Sequence, residues 1–330
     1  MRRVLAFYKF TAVDELQALH QELLATGARL RLKGTILLAH EGVNGTVVGT
    51  TAALTELTQL LHQRFGEIPF KWSDLAQENR GFFRFKVKIK PEIVSFGVAD
   101  LDLNQTGEHV DAQRWNELLA DPEVLVIDTR NRYEIDIGTF PAACSPQTTN
   151  FREFPNWVRE QLNPGEQKKI AMFCTGGIRC EKASAFMRQA GFEQVYQLDG
   201  GILKYLEEVE EEENRWQGEC FVFDQRVSVD KGLKQGQYEQ CYACRHPLSR
   251  EDLSSEVYEQ GVQCPHCVGE ATQARLDGFR QRQRQIELAR QRGTEHIGEA
   301  QKQAAEPGPD RNPDYRSGNS SSHTASSNSG

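Results

Sequence analysis

The sequence has no run of about 18 apolar residues, so it offers no segment long enough to cross a membrane as a helix. Its first apolar run is too short for a signal peptide and no small-residue cleavage site follows it, so we expect a cytoplasmic protein. Basic residues are not in excess, because 39 lysines and arginines stand against 47 aspartates and glutamates. The net charge of −8 argues against a uniformly basic nucleic-acid binder but allows a local basic patch.

Familiar cofactor signatures are also missing. No Gly-x-Gly-x-x-Gly follows a predicted strand, so we see no nicotinamide or flavin site, and no set of two histidines and a carboxylate suggests an iron centre. The sequence does contain eight cysteines in 330 residues, a length sufficient for two or three domains. In a reducing cytoplasm, clustered cysteines are more often metal ligands or catalytic groups than disulfides.

Residues 1–95 are predicted to form a ferredoxin-like domain. An apolar strand leads into a helix that we expect Thr11 to cap, and the Asn-Gly pair at Asn44–Gly45 predicts a hairpin turn between the next two strands. A second helix begins near Thr51, and residues 82–89 alternate as a closing strand. The resulting order βαββαβ is that of a split βαβ fold.

Three further segments follow. After a predicted linker at 101–111, short apolar strands alternate with helices, which indicates an α/β domain with a parallel sheet at 112–218. Residues 219–295 are read as a cysteine-rich module followed by a basic helix. Residues 304–330 are mostly polar, with many Gly, Pro, Ser and Asn, and are expected to be disordered because they cannot bury enough apolar surface.

The most specific motif is a cysteine loop between a buried strand and a helix. Unpaired N–H groups at a helix N-terminus and the helix dipole favour a thiolate there, and two glycines let the backbone curl into a nest of donors. An arginine adds positive charge. Cysteines in such settings have pKa values lowered to roughly 3.5–7.5. We therefore predict a reactive cysteine in a loop made of Cys174, Thr175, Gly176, Gly177, Ile178 and Arg179.

The spacing separates this loop from that of a tyrosine phosphatase. Four residues lie between Cys174 and Arg179, whereas a phosphatase loop has one more, and Phe173 stands where the phosphatase histidine would be. The shorter loop is typical of a sulfurtransferase.

Residues around the loop allow more than one interpretation. Asp128, at the end of a predicted strand, could orient Arg179 or only brace the loop. Arg130 could contact a substrate phosphate, although solvated loop arginines are common. Cys180 could act as a resolving thiol or pack as an ordinary helix residue.

Longer stretches resemble a known family. Val126–Glu134, followed by Gly138–Ala142, resembles the opening signature of rhodanese domains. Cys174–Arg179 resembles their active loop, and Gln197–Ile202 resembles their final strand and turn. The rhodanese-containing tRNA uridine hydroxylases, which form 5-hydroxyuridine at the wobble position with molecular oxygen, are similar at His40–Gly45, Cys174–Ser184 and Trp216–Asp224. The resemblance spans roughly residues 4–270. It implies tRNA as substrate, oxygen as co-substrate and Cys174 as an essential cysteine that can form a persulfide.

Two alternatives to hydroxylation use the same residues differently. A sulfurtransferase would pass persulfide sulfur from Cys174 to an acceptor such as tRNA, and the residues alone do not distinguish it from a hydroxylase. A non-enzymatic zinc scaffold with a vestigial rhodanese domain is the third hypothesis. The intact loop, with both Cys174 and Arg179, argues against it.

The C-terminal cysteines predict a structural zinc site. Two Cys-x-x-Cys pairs stand nineteen residues apart, a spacing typical of four-thiolate zinc, and with all four positions filled no open site is left for catalysis. His246 and His266 lie beside the pairs and are alternative ligands. The predicted ligands are Cys241, Cys244, Cys264 and Cys267.

Two basic segments are candidates for tRNA phosphate contacts, although each could equally be a solvated face. In the first, alternate residues of a strand face one side. This stripe consists of Arg80, Arg84, Lys86, Lys88 and Lys90. The second is the arginine-rich helix predicted at 269–292, with Arg280 and Arg284 as the chosen candidates.

Overall fold

The structure, a computed structural model, describes residues 2–75 and 81–293. All of them belong to one compact unit, residues 1–298. Arg80 and the tail predicted to be disordered lie outside the described residues. Within the described ranges, no helix combines the length and the apolar character that a membrane crossing requires.

The N-terminal domain is a five-stranded sheet with two helices, and its strand order is β4-β1-β3-β2-β5. The first four strands have the ferredoxin-like arrangement, so this prediction is confirmed. Apolar residues of both helices, among them Leu23 and Leu57, are fully buried against the sheet. The elements are β1 (Arg2–Phe10), α1 (Leu16–Arg29), β2 (Lys33–Ala39), β3 (Gly42–Thr50), α2 (Thr51–Phe65), β4 (Phe70–Asp74) and β5 (Phe85–Ile89).

The closing strand differs from the prediction. Part of the segment 82–89 forms β5, which pairs in parallel with β2 at one edge of the sheet. The strand that completes the ferredoxin-like order is β4, which pairs with β1 at the other edge. Four of its five residues are half-buried, so its sequence shows no alternation that would have revealed it.

Two local predictions in this domain are wrong. Asn44 and Gly45 lie inside β3, and the turn between β2 and β3 is made by His40 and Glu41. Gly45 faces Phe7 on β1, and a Cβ at this position would lie 2.7 Å from the Phe7 ring, so the glycine makes room for an aromatic ring. Thr11 does not cap α1, which begins at Leu16 without a side-chain cap.

The central domain has a four-stranded parallel sheet in the order β6-β10-β9-β7. The parallel α/β domain is therefore confirmed, but β6 lies within the predicted linker and forms an edge strand. The elements are β6 (Glu108–Val110), α3 (Ala112–Ala120), β7 (Val124–Asp128), α4 (Arg132–Ile135), β8 (Gly138–Thr139), a 3-10 helix (Phe151–Glu153), α5 (Phe154–Gln161), β9 (Lys169–Phe173), α6 (Ile178–Gln189), β10 (Gln194–Leu198), α7 (Gly201–Glu208) and a second 3-10 helix (Glu211–Glu213).

The remaining chain forms short hairpins and two helices. The hairpin of β12 and β13 packs its Cys220, Val222 and Val229 into the core of the central domain. The domain limits 1–95, 112–218 and 219–295 therefore stay a proposal. The elements are β11 (Gln217–Gly218), β12 (Cys220–Phe221), β13 (Ser228–Val229), β14 (Glu239–Gln240), β15 (Pro247–Leu248), α8 (Arg250–Ser254) and α9 (Gln273–Gln291).

Candidate active site at the cysteine loop

Cys174 lies directly after β9 and is almost fully buried, with 1% of its surface exposed. The loop that follows it is short, because α6 begins at Ile178. The N–H of Gly177 donates a hydrogen bond to the Cys174 Sγ at 3.1 Å. Gly177 has a φ of +99°, a conformation that side-chain-bearing residues rarely adopt. The Gly177 N–H is thus one donor of the predicted nest.

The N-terminus of α7 orients the first peptides of the loop. The N–H of Ile202 donates to the Cys174 carbonyl at 3.0 Å, and the N–H of Leu203 donates to the Thr175 carbonyl at 3.1 Å. This approach requires a glycine, because a Cβ on Gly201 would lie 2.4 Å from the Cys174 carbonyl oxygen. A trans peptide points its C=O and N–H in opposite directions, so carbonyls held by α7 leave their N–H groups directed into the loop.

The next peptide is held from the N-terminal domain. Lys71, on β4, donates to the Gly176 carbonyl at 2.5 Å and also to the Gly200 carbonyl. The N–H of that same peptide belongs to Gly177 and contacts the Cys174 sulfur. Burial lowers the pKa of Lys71 to about 8. Lys71 therefore fixes the peptide that holds the thiolate, and no sequence signal had pointed to it.

The electrostatic environment favours the ionised form of Cys174. Burial on its own would raise the pKa of this thiol, but three influences outweigh it: a hydrogen bond from Cys180, the charge of Arg179 and backbone N–H donors. Together they lower the pKa of Cys174 to about 5. Burial raises the pKa of Cys180, so only one of the two neighbouring thiols is ionised at neutral pH.

Two buried ion pairs lie beneath the loop. Arg179 donates to both oxygens of Glu134, at 2.8 and 2.6 Å, so Glu134 and not Asp128 orients it. Asp128 instead pairs with Arg130 at 2.6 Å and accepts a hydrogen bond from Thr139. Arg130 is fully buried, so the proposed contact between its side chain and a substrate phosphate is wrong. Asp128 and Arg130 brace the end of β7, where Asp128 pairs with Phe173 of β9, the residue before Cys174.

Tyr8, on β1, is a second residue from the N-terminal domain at the loop. Its hydroxyl donates to Glu181 at 3.0 Å, and His109 approaches the same carboxylate at 3.2 Å. A Cβ on Gly177 would lie 2.8 Å from the Tyr8 hydroxyl, so the contact between tyrosine and loop is close. Burial raises the pKa of Tyr8, which keeps this phenol protonated.

The motif at His40–Gly45, which carried part of the family resemblance, contributes to the same contact between domains. Its Glu41 pairs with the buried Lys182 of α6 at 2.8 Å, and Glu92 pairs with that lysine at 2.6 Å. Both carboxylates belong to the N-terminal segment. The helix that follows the cysteine loop is therefore anchored to the first domain.

The four predicted zinc ligands come together. The sulfur atoms of Cys241, Cys244, Cys264 and Cys267 all lie within 4.8 Å of one another. The pairs Cys244–Cys264 and Cys264–Cys267 are each separated by 3.7 Å. Tetrahedral zinc with Zn–S bonds of about 2.3 Å needs sulfur atoms about 3.8 Å apart, so the group is compatible with structural zinc.

The neighbouring histidines have other contacts. His266 pairs with Asp252 at 3.0 Å, and its ring stacks on that of His246 at 3.7 Å between centroids. The chemistry of the donor set therefore favours four thiolates, with the histidines packed beside them.

The two basic segments differ in how free their charges are. Arg84, Lys86 and Lys88 are exposed on the edge strand β5 and the residue before it. Burial first, and then the neighbouring charges of Lys88, Arg84 and Arg245, lower the pKa of Lys86, so these cations lie close together. The stripe is thus a concentrated positive surface among the described residues.

On α9 the charges are partly neutralised. Arg280 pairs with Asp277 of the same helix at 3.3 Å and with Glu259 at 2.7 Å. The second pair ties the helix to the cysteine-rich module. Arg284 is exposed. Of the two chosen arginines, Arg284 is the better placed to contact phosphate.

Two family models match this chain. The model described as a UPF0176 acylphosphatase-like domain matches residues 2–93, and the model of the rhodanese-like domain matches residues 111–208. The chain thus carries a rhodanese-like domain, with an acylphosphatase-like domain in front of it. This order of domains matches the architecture of the UPF0176 / tRNA uridine hydroxylase family, a rhodanese-like family of tRNA-modifying proteins.

Solved structures resemble about a third of the chain. A rhodanese-like domain from Anabaena sp. is 20% identical, covers 33% of this chain and 78% of its own, and has a TM-score of 0.27. A rhodanese-related protein from Thermoplasma volcanium is 23% identical over 31% of this chain and 92% of its own, with a TM-score of 0.25. A possible tyrosine phosphatase of unknown function from Rhodopseudomonas palustris is 23% identical over 32% and 83%, with a TM-score of 0.27. The assignment rests on the two family models.

Proposed function

We propose that this protein hydroxylates the wobble uridine of tRNA to 5-hydroxyuridine, with molecular oxygen as co-substrate and Cys174 as the essential reactive residue. The observation that carries the proposal is the buried Cys174 sulfur, which accepts a hydrogen bond from Gly177 at 3.1 Å and has a pKa lowered to about 5. A thiol with this pKa is a nucleophile at neutral pH. The domain architecture supports tRNA as the substrate class.

The chemistry has a fixed balance. Placing one oxygen atom on C5 of uracil sends the second atom of O2 to water. This consumes two electrons and two protons, which in this proposal come from an external dithiol that is oxidised to a disulfide. A thiolate can add to the electron-poor C6 of uracil and so place electron density on C5, the atom that takes up oxygen. Loss of the C5 proton then restores the C5=C6 bond, breaks the C6–S bond and releases the thiolate. In this proposal Cys174 supplies that thiolate, and the main contribution of the protein is the loop of N–H donors and positive charge that keeps the sulfur ionised.

The surface offers a place for the tRNA backbone. The cationic stripe formed by Arg84, Lys86 and Lys88 is exposed, and it belongs to the same domain that supplies Lys71 to the cysteine loop. Phosphate contacts of this kind position nucleic acid without reading its sequence. Arg284 on α9 is a further candidate for such a contact. Four thiolates, which we propose hold a structural zinc, would fix the module to which α9 is tied.

The proposal is tested in cells that lack the gene and carry either the wild-type protein, Cys174→Ser or Cys144→Ser. Nucleosides from their tRNA are measured by mass spectrometry. We expect wild type to form 5-hydroxyuridine and Cys174→Ser to form none. Cys144→Ser is the matched control because Cys144 is half-exposed and its hydrogen bonds to the strand β7 are made by its backbone.

Two results would contradict the proposal. Undiminished 5-hydroxyuridine in Cys174→Ser would remove the cysteine from the chemistry. A gene-dependent thiolated uridine, with 5-hydroxyuridine unaffected, would establish the sulfurtransferase alternative instead.

A further inference from the structure

An exposed aromatic side chain stands beside the reactive loop. Phe223, in the turn after β12, has 57% of its surface exposed, the largest value for a big hydrophobic residue in the described ranges. The guanidinium carbon of Arg179 lies 5.9 Å from the centre of its ring. Arg179 also acts on the Cys174 thiolate. A single arginine therefore links the exposed ring to the reactive sulfur.

The turn that presents Phe223 is fixed from the N-terminal domain. Asp224 and Arg226 form a buried pair at 2.6 Å, and Arg226 also donates to Ser73 at 2.9 Å. The N–H of Gln225 donates to the Gly81 carbonyl at 2.8 Å. An exposed loop side chain usually has no such support. Here the residues next to Phe223 are anchored while the ring itself faces solvent.

The same turn is joined to the cysteine loop and is strained. The hydroxyl of Thr175 donates to the Phe221 carbonyl at 3.4 Å, and the Phe221 ring meets the Phe223 ring edge to face at 5.1 Å. Val227, which closes the turn, has a φ of +66°, an outlier for a β-branched residue. Strain of this kind persists where the surrounding structure holds a functional segment in place.

We propose that Phe223 is a stacking platform for an unpaired pyrimidine base, which it holds at the entrance to the Cys174 loop. This inference rests on the proposed function and deepens it by naming the subsite for the target base. A flat, rigidly held ring beside a guanidinium suits a nucleobase, because bases stack on aromatic faces and on arginine planes. Enzymes that act on a base must take it out of its stack and hold it in such a place.

The test is a double-mutant cycle on binding, carried out on the full-length protein without oxygen so that no turnover occurs. An anticodon stem-loop RNA carries either the target uridine or an abasic site at that position. We expect Phe223→Ala to weaken binding of the uridine RNA roughly ten- to a hundred-fold, as loss of one stacked base does. It should leave binding of the abasic RNA unchanged.

Two further variants isolate stacking from apolar contact. Phe223→Trp should bind the uridine RNA at least as well as wild type, whereas Phe223→Leu should be nearly as weak as Phe223→Ala. Val268→Ala is the control, because it removes another exposed apolar side chain, 44% exposed, from the cysteine-rich module. It should bind both RNAs as wild type does.

The outcomes separate this inference from the proposed function. Equal losses for both RNAs, no loss for either, or full binding by Phe223→Leu would overturn the stacking role. If wild type forms 5-hydroxyuridine in air but shows no coupling between Phe223 and the base, only the stacking role fails. If the coupling is present and oxygen yields no 5-hydroxyuridine, the stacking role stands and the hydroxylase proposal fails.

Discussion

Replacement of Lys71 by methionine should make Cys174 a weaker acid, although Lys71 lies on a different domain. The lysine donates to the Gly176 carbonyl at 2.5 Å, and the N–H at the other end of that peptide contacts the Cys174 sulfur at 3.1 Å. Methionine fills a similar volume but donates no hydrogen bond. The peptide is then free to turn, and the positive charge near the sulfur is lost.

The expected size follows from the bond that is disturbed. A hydrogen bond to a charged group contributes about 1.5–3 kcal/mol. About 1.4 kcal/mol corresponds to a tenfold change in an acid equilibrium. Loss of the aligned Gly177 N–H should therefore lower the ratio of thiolate to thiol at Cys174 by roughly ten- to a hundred-fold at a given pH. The pKa of Cys174, about 5 in the native protein, should rise toward its ordinary value.

The assay is a titration of thiolate ultraviolet absorbance, from which the titration of Cys174→Ser is subtracted. In the native protein the thiolate signal should be present above about pH 5 and lost as the pH falls through that value. In Lys71→Met the loss should come at higher pH, and Lys71→Arg should restore part of the native behaviour. Lys9→Met is the matched control, because Lys9 likewise donates to a backbone carbonyl, but its acceptor, Glu67, lies within the first domain. An unchanged titration in a folded Lys71→Met protein would refute the positioning role.

Two other predictions concern stability and metal. Glu134→Gln should destabilise the protein by about 3–5 kcal/mol in urea unfolding, because it removes the carboxylate that pairs with the buried Arg179 at 2.6 Å. The exposed pair Arg114–Glu117 is its control, and Glu117→Gln should change the free energy of unfolding by less than about 1 kcal/mol; equal effects would show that burial of the pair is unimportant. The wild-type protein should bind about one zinc per chain through its four thiolates. Cys264→Ser should bind none and should have a lower Tm, whereas Cys144→Ser should keep the metal. Metal analysis of the purified proteins decides this, and a zinc-free wild type would contradict it.

Local signals in the sequence predicted much of this structure. The alternation of apolar strands with helices gave the parallel sheet, and the paired glycines before an arginine gave the cysteine loop. The spacing of the Cys-x-x-Cys pairs gave the four-sulfur cluster. In each case the residues that form the feature are close in sequence, or repeat a pattern whose geometry is independent of the rest of the chain.

Contacts between distant segments could not be predicted in this way. Lys71 reaches a carbonyl 105 residues away, and Tyr8 reaches a carboxylate 173 residues away. Glu134 and Asp128 both precede the loop, and either could have paired with Arg179 until the fold placed the carboxylates. Gly45 looked like a turn residue, but its role is to admit the ring of Phe7. Side-chain partners across domains depend on packing, and single-sequence patterns do not encode it.

The partly buried Lys71 explains why the two domains act as one site. Lys71 donates to two backbone carbonyls, and the negative charges that act on it are those of Cys174 first and Asp199 second. Burial of an ammonium group without a paired carboxylate is costly, and its lowered pKa of about 8 reflects this. The thiolate of Cys174 is the larger of the two compensating charges, and the lysine in turn fixes the peptide that binds the sulfur. Each charge thus stabilises the other in this site. A rhodanese domain separated from its N-terminal partner should therefore retain Cys174 but with a higher pKa.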